Sequence, residues 1–185
     1  MTDETTYRVE RPVDRAAVLD VHTRAFGDHG PKVAQMLTAL GESDAALPEL
    51  SVVAERGRRV IGHVSLTKSL LDAPKRLVDV LVLSPLGVLP EFQGQGVGSA
   101  LVRHAIAAAG DGWPLLFLEG SPGYYGRLGF EAGGGHGFRR PSLRIPEPAF
   151  QVVTLPAYEE WMTGTLVYAE AFWRHDCVGL RDEDA

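Results

Sequence analysis

The chain has 185 residues and a formal net charge of −6. It is therefore the size of one average domain, and a basic face for nucleic acids or anionic membranes is disfavoured. Hydrophobic residues make up 45% and charged residues 23% of the chain, which excludes a disordered polypeptide. Cys177 is the single cysteine, so an intrachain disulfide and metal sites of the paired CxxC type are excluded.

The sequence carries no sign of a targeting or membrane segment. Its first residues are acidic and polar, without the apolar stretch of a signal peptide. The longest apolar tract, residues 77–89, is interrupted by Asp79, Ser84 and Pro85 and is too short to span a bilayer. We therefore expect a cytoplasmic protein that has neither a membrane nor a nucleic-acid partner.

Hydrophobic periodicity predicts a mixed α/β fold that begins with a strand at residues 7–10 and two helices. The first helix has Asp14 as its N-cap and runs to about Phe26. The second has Pro31 in its first turn and apolar side chains at i, i+3, i+4 and i+7, and Gly41 follows its last turn.

A hairpin and a long strand are predicted next. Two runs of β-forming residues, 50–55 and 59–66, flank Gly57. Residues 77–89 form a long apolar strand, and Pro85 in its middle cannot donate a ladder hydrogen bond. A bulge or a splay of the sheet is therefore expected there.

The second half of the chain continues the alternation of helices and strands. The predicted elements are a helix at 96–109, a buried strand at 113–118, a short helix or turn at 122–128, a loop rich in Gly, Pro and Arg at 133–148, and late strands at 150–155 and 165–168. We expect one domain over residues 1–185, in which about 135–185 form a C-terminal extension packed on the same domain.

The most informative stretch joins the long apolar strand to the helix that follows it. Gly94, Gly96 and Gly98 alternate with other residues at this junction. Such a turn leaves backbone N–H groups free at a helix N-terminus, and glycine lets an anion approach them closely. The pattern predicts a phosphate or pyrophosphate site.

Three ligand classes compete for this loop. A nucleoside-triphosphate loop needs Lys followed by Ser or Thr after the last glycine, whereas Ser99 and Ala100 follow here, so that class fails. A dinucleotide fingerprint can be written with Ser99 as the third glycine and Glu119 ending the next strand, but residues 90–93 separate the strand from the first glycine. The third class is acyl-coenzyme A.

The loop resembles the signature of the GNAT superfamily of N-acetyltransferases, V-x-P-x-x-(Q/R)-x-x-G-x-(G/A). Val88, Pro90, Gln93, Gly96 and Gly98 match it with every spacing kept. The resemblance implies an α/β (α+β) GNAT fold, whose mixed, mainly antiparallel central sheet is splayed after strand 4 and flanked by helices. It also implies acetyl-CoA as the cofactor.

A second segment supports the resemblance independently. Tyr125, Gly129 and Phe130 match a Tyr-x-x-x-Gly-Phe pattern that GNAT proteins often carry. The longer string Pro-x-Tyr-Tyr-x-Arg-x-Gly-Phe is similar to one bacterial subgroup of predicted acetyltransferases. Ser121 departs from that subgroup, which more often has an acidic residue or histidine there, so the acceptor is not inferred by analogy.

The resemblance implies transfer of an acetyl group from acetyl-CoA to a primary amine of a small molecule or peptide, by direct attack in a ternary complex. The cofactor would be bound at the strand end and the helix start, by Leu86, Gly87, Val88, Gln93, Gly94, Gln95, Gly96, Val97, Gly98 and Ser99. Amides freed by the splay near Leu86 would pair with the pantetheine arm and hold the thioester oxygen as negative charge builds on it.

Two side chains are predicted to move protons. Tyr125, by its position in the family motif, is the candidate acid for the leaving thiolate. Glu119, at the end of the strand that leads into this motif, is the best-placed candidate for the base that deprotonates the amine, with Asp79 and Glu55 as alternatives. No metal site is expected, because the six histidines form no close ligand set.

Two other functions stay open on the sequence alone. A non-catalytic acyl-CoA sensor would keep the pocket but have no acceptor. A nicotinamide or flavin dinucleotide enzyme would show cofactor absorbance after purification. A homodimer is also left open.

Overall fold

The computed structural model describes residues 4–181, and the chain divides into two compact units. The first unit comprises the chain up to Thr67 together with Leu83–Ala109. The second comprises Lys68–Val82 and the chain from Gly110 onward.

The first unit contains the predicted helix pair, the hairpin and the helix after the glycine-rich turn. Its elements are β1 (Thr6–Val9), α1 (Arg15–Ala25), α2 (Gly30–Gly41), β2 (Ser51–Arg56), most of β3 (Arg59–Asp72), the end of β4 (Leu77–Val88) and α3 (Val97–Ala109).

The second unit holds the rest of β3 and β4 and the elements that follow α3. These are β5 (Leu115–Glu119), α4 (Pro122–Tyr125), β6 (Glu131–Ala132), β7 (Phe138–Arg139), β8 (Phe150–Thr154), β9 (Gly164–Val167) and α5 (Glu170–Arg174). Three features were not predicted. The two-residue strand β6 lies between the predicted turn and the predicted loop. The strand β7 lies within the expected loop, and α5, with five residues, is too short to show a helical period.

Antiparallel pairs outnumber parallel ones in both units, so the predicted mixed, mainly antiparallel α/β class is confirmed. In the first unit β1 pairs with β2 and β2 with β3, both antiparallel. In the second unit β5 and β6 pair antiparallel with β8, β3 pairs antiparallel with β9, and β7 and β9 run parallel. Pairing with β9 extends β3 to Asp72, beyond the end predicted at residue 66.

The parallel ladder between β4 and β5 is short. It comprises Leu81 opposite Leu116 and Val82 opposite Phe117. Pro85 follows three residues later and has no N–H to extend a ladder. This is the place at which the sequence predicts the splay.

Side chains of β3 alternate between two helices in the first unit. A Cβ at Gly62 would lie 3.0 Å from Leu101 of α3, whereas the neighbouring His63 contacts His22 of α1. Successive strand residues point to opposite faces, so α1 and α3 cover opposite faces of this strand. The core of the second unit includes an aromatic pair, Phe117 stacked on Phe150 at 5.6 Å.

Two helix ends differ from the prediction. Asp14 precedes α1, but its carboxylate makes no capping bond to that helix. It accepts instead from the backbone N–H of Arg11 and from both terminal nitrogens of Arg8, at 2.7 and 2.9 Å. Gly41 is the last residue of α2, and Glu42 caps the helix. Among the described residues no helix is long and apolar enough to cross a bilayer.

Candidate functional site

The glycine-rich turn follows the last strand residue of the first unit. Leu89 donates its N–H to the carbonyl of Ile61 at 2.8 Å, which ties the end of β4 to β3. A 3-10 turn over Pro90–Phe92 follows. The amide side chain of Gln93 then donates to the carbonyl of Val88 at 2.9 Å. The side chain of Gln93 thus closes the loop. Gln93 would therefore contact a ligand through its backbone.

Gly94 and Gly96 adopt conformations that favour glycine. Their φ angles are +73° and +82°, in the left-handed region. A Cβ built on either residue would meet nothing within 4 Å. The space in front of both backbones is therefore open to a ligand.

The first turn of α3 supplies amide donors beside this open space. The helix begins at Val97, and Ala100 donates to the carbonyl of Gly96 at 3.0 Å. The amides at the start of a helix precede its i→i−4 ladder, and they carry the positive end of the helix dipole. The sequence-predicted residues from Gly94 to Gly98 thus lie together at the start of this helix, with Gln95 and Val97 between the glycines and Ser99 in the same turn. Such an arrangement suits an anion.

Three arginines surround the loop, and the sequence analysis missed them. Arg24 and Arg59 bind the two oxygens of Glu91 at 3.0 and 2.8 Å, and Arg56 donates to the side chain of Gln95 at 3.1 Å. These cations come from α1, β2 and β3, far from the loop in sequence. The positive charge and the open glycine backbone suit the phosphates of coenzyme A, so the residues present fit that cofactor.

A series of buried polar side chains, joined by hydrogen bonds, begins behind the end of β4. The ring of His22 lies behind Gly87, where a Cβ would sit 2.7 Å from Nδ1. His22 Nε2 lies 2.7 Å from His63 Nδ1, and His63 Nε2 lies 2.7 Å from the hydroxyl of Ser51 and 3.2 Å from Glu10. Ser51 in turn donates to Glu10.

The carboxylate of Glu10 can only accept, and this determines which atom donates in each hydrogen bond of the series. Ser51 donates its one hydrogen to Glu10, so His63 Nε2 must carry the proton toward Ser51. A neutral His63 then accepts at Nδ1 from His22 Nε2–H. His22 Nδ1 is left as a buried acceptor without a partner among the described residues.

Burial decides the charge of the two histidines. It lowers the pKa of His22 well below 6.5, with His63 and Arg15 adding to the effect. It also lowers the pKa of His63, against the opposing influence of Glu10. For Glu10 the penalty of burial is outweighed by hydrogen bonds from His63 and Ser51, so its pKa lies below 4.5. Near neutral pH this buried set of side chains therefore contains two neutral imidazole rings and one carboxylate.

We expect the free energy of unfolding to fall as the pH drops below about 6.5. In that range the unfolded chain protonates His22 and His63 while the folded chain does not, which costs up to about 1.4 kcal/mol per histidine and pH unit. Asp14 acts in the same direction at lower pH, because Arg8 holds its pKa at about 2 against 3.8. Urea unfolding at a series of pH values measures both losses.

The variants His22→Gln and Asp14→Asn separate the two effects. His22→Gln keeps a donor toward His63 but has no group that titrates, so part of the loss below pH 6.5 should disappear. Asp14→Asn should weaken the loss at lower pH only. Unfolding free energies that stay constant between about pH 7 and 5 contradict the assignment of neutral buried histidines.

Tyr125, the predicted acid, lies at the end of α4 in the second unit. Its ring packs edge-on against Phe130 at 5.8 Å and against Gly120, where any Cβ would overlap it. Its hydroxyl makes no hydrogen bond with the residues that the structure describes. Burial, with a smaller contribution from Tyr124, raises the pKa of Tyr125 to about 12.

Glu119, the predicted base, ends β5 in the second unit. Its two oxygens accept from the hydroxyl of Tyr168 at 2.9 Å and from the backbone N–H of Gly179 at 3.0 Å. Burial raises the pKa of Glu119, against the opposing influence of Tyr168, Gly179 and Arg144. The C-terminal part of the chain thus holds this carboxylate in place.

Of the two alternative candidates for the base, one is paired with an arginine and the other is exposed. Glu55 accepts from Arg8 Nε at 3.0 Å, and Asp79 is exposed on β4. Residues 4–181 contain no group of three or more His, Cys, Asp or Glu placed to hold a metal ion.

Comparisons with known proteins agree with this geometry. Residues 48–132 match the family model described as an acetyltransferase (GNAT) domain. Over 170 residues the chain is 32% identical to an uncharacterized N-acetyltransferase, YjhQ, of Escherichia coli K12, and the match covers 89% of this chain and 92% of that protein.

Two solved structures are similar along nearly the whole chain. One is a GNAT family N-acetyltransferase, YhbS, of Escherichia coli in complex with CoA, with a TM-score of 0.82, 27% identity and 94% of both chains covered. The other is a GNAT family acetyltransferase of Brucella melitensis in complex with acetyl-CoA, with a TM-score of 0.72, 29% identity and coverage of 92% of this chain and 99% of that one. Since sequence and fold agree over this length, the chain belongs to the GNAT superfamily of N-acetyltransferases and is an acetyltransferase.

Proposed function

We propose that the protein transfers the acetyl group of acetyl-CoA to a primary amine of a small molecule or peptide, by direct attack in a ternary complex. The observation that carries this proposal is the loop from Gly94 to Gly98, whose open glycine backbone meets the start of α3 among three arginines. Structures of two similar proteins hold CoA and acetyl-CoA. The proposal includes a cytoplasmic location and a single catalytic domain over residues 1–185.

The cofactor is assigned to two neighbouring parts of the first unit. The amides from Gln93 to Ser99 would bind the pyrophosphate at the helix start. The end of β4, at Leu86, Gly87 and Val88, would pair with the amide groups of the pantetheine arm. The same strand amides would hold the thioester oxygen when negative charge develops on it.

The reaction needs two proton movements. The amine nitrogen bonds to the thioester carbon, the carbon–sulfur bond breaks, and the sulfur leaves with its electron pair as a thiolate. An ammonium substrate must first give up a proton to a base, the role assigned to Glu119, and the thiolate must finally gain one.

Tyr125 suits the second movement as a hydrogen-bond donor. With a pKa of about 12 its phenol stays protonated near neutral pH. An alkyl thiol has a pKa of about 8.5, so complete transfer from this phenol to the thiolate is uphill by about 5 kcal/mol. We infer that Tyr125 stabilises the developing charge on sulfur by donating a hydrogen bond, and that solvent supplies the proton.

Glu119→Gln should lower the acetylation rate while the affinity for CoA stays intact. The amide keeps the size of the side chain and can accept from Gly179 while the hydroxyl of Tyr168 rotates, but it cannot take up a proton from the amine. We expect a loss of kcat of roughly 10²-fold or more, measured by thiol release across a pH series.

Tyr168→Phe is the matched control for Glu119→Gln. It removes one hydrogen bond to Glu119 but keeps the carboxylate, so most of the activity should remain. Equal losses of CoA affinity in both variants identify Glu119 as a structural residue of the strand end instead of a base.

The proposed function is tested by ligand protection and by acetyl transfer. CoA should raise the unfolding temperature through linkage, whereas NAD should not. Acetyl-CoA should then release thiol with at least one amine from a panel of amino acids, polyamines, amino sugars and peptides. Protection by NAD favours the dinucleotide alternative, and protection by CoA without any thiol release favours a non-catalytic sensor.

A further inference from the structure

A cavity of about 300 Å³ in the first unit is not used by the function proposed above. It opens between the start of α1, the second half of α2 and the beginning of β2. Its volume lies at the lower end of the range for small-molecule sites. Leucine side chains form much of its wall, at positions 37, 40 and 47.

Three buried hydroxyl residues line the cavity. Ser51 and Ser65 are each 7% exposed and Thr67 is 2% exposed. Ser51 donates to Glu10, whereas the hydroxyl of Thr67 has no partner among the described residues. The cavity wall is therefore polar on the side of these hydroxyl residues.

Charges of both signs line the same cavity. Glu10 uses Oε2 to accept from Ser51 and His63, and its Oε1 lies 3.6 Å from Arg15 Nη1. Arg15 Nη2 donates to the carbonyl of Leu37 at 2.9 Å. The two groups form an ion pair, but 3.6 Å is too long for a direct hydrogen bond, so both keep hydrogen-bonding capacity for a ligand.

The buried histidines fix Glu10 from behind. The ring of His63 is fully buried and donates toward the carboxylate, and His22 in turn donates to His63. An ionised carboxylate is thus held rigidly at the cavity wall, with an apolar surface on one side and a guanidinium on the other.

We propose that this cavity binds a small zwitterion, with an ammonium group on Glu10, a carboxylate on Arg15 and an apolar body of amino-acid size against the leucines. The adjacent opposite charges favour a zwitterion over a molecule with a single charge. The apolar wall favours an aliphatic body over a polar one. This inference concerns binding alone and does not rest on the acetyl transfer proposed above.

Calorimetric titration with three probes of one shape tests the proposal. L-leucine carries both charges, L-leucinamide carries only the ammonium group, and 4-methylpentanoate carries only the carboxylate. We expect L-leucine to bind at least about tenfold more tightly than either of the other two, since each analogue lacks one of the two charged contacts. No binding of L-leucine, or equal binding of the three probes, overturns the proposal.

Variants of the wall assign the two ends of the ligand. Glu10→Gln should weaken binding of L-leucine at least about tenfold and should not weaken binding of 4-methylpentanoate. Arg15→Gln removes the guanidinium charge, so it should weaken L-leucine at least about tenfold and leave L-leucinamide no weaker, even if Glu10→Gln fails to fold. Glu49→Gln, exposed and outside the cavity lining, is the matched control and should bind like the original protein.

Protection by CoA is measured on the same samples and separates the two proposals. An Arg15→Gln protein that keeps both CoA protection and undiminished affinity for L-leucine contradicts the zwitterion site while leaving the proposed acetyltransferase activity untouched.

Discussion

Replacing Tyr125 by phenylalanine should lower kcat at least about tenfold with little change in the affinity for CoA. Phenylalanine keeps the ring that packs against Gly120 and Phe130. It removes only the hydroxyl, which forms no hydrogen bond within the described chain, so stability should be nearly unchanged. The lost contribution is the hydrogen bond to the sulfur as the carbon–sulfur bond breaks. Thiol release under saturating acetyl-CoA measures it, provided that chemistry limits the rate.

Tyr124→Phe is the control for this prediction. Tyr124 is adjacent in sequence and is 37% exposed, whereas Tyr125 is half-buried. The Tyr-x-x-x-Gly-Phe spacing selects Tyr125, so the Tyr124 variant should remain almost fully active. If the two variants behave alike, or if only Tyr124→Phe is impaired, the assignment of Tyr125 is wrong.

Valine at Gly96 should abolish the protection that CoA gives against thermal unfolding. The φ angle of +82° is unfavourable for a β-branched residue, and its side chain would occupy the open space in front of the loop. A ligand at 100 times its Kd contributes about 2.7 kcal/mol, which corresponds to a shift in Tm of roughly 5–10 °C for a chain of this size. Thermal scans with and without CoA measure the loss of that shift.

Gly110→Val is the control for Gly96→Val, because both variants place valine at a positive φ angle. Gly110 follows the other end of α3 with a φ angle of +60°, so this variant should also lower the unfolding temperature of the free protein. It should keep the shift caused by CoA, because it lies away from the helix start. An unchanged CoA shift in Gly96→Val would count heavily against the assigned loop.

The sequence by itself determined the features that depend on neighbouring residues. Helix α2 and the hairpin of β2 and β3 followed from periods of 3.6 and 2, because the pattern of apolar side chains is set along one element. The junction from Val88 to Gly98 was also legible, since glycine is favoured where φ is positive and a helix start presents unpaired amides. The family resemblance rested on this junction for the same reason.

The tertiary structure decided which distant side chains meet. The hydrogen-bonded side chains that link Glu10 to His22 come from residues 12, 41 and 53 positions apart. Nothing in the sequence pattern around His63 distinguishes it from any other buried strand residue. Asp14 looked like a helix cap, yet the stronger bidentate contact with Arg8 engages its carboxylate. Glu119 was placed correctly at a strand end, but its two hydrogen-bond donors come from 49 and 60 residues further along the chain. Such contacts depend on how elements pack across the chain, and no local period or spacing records them.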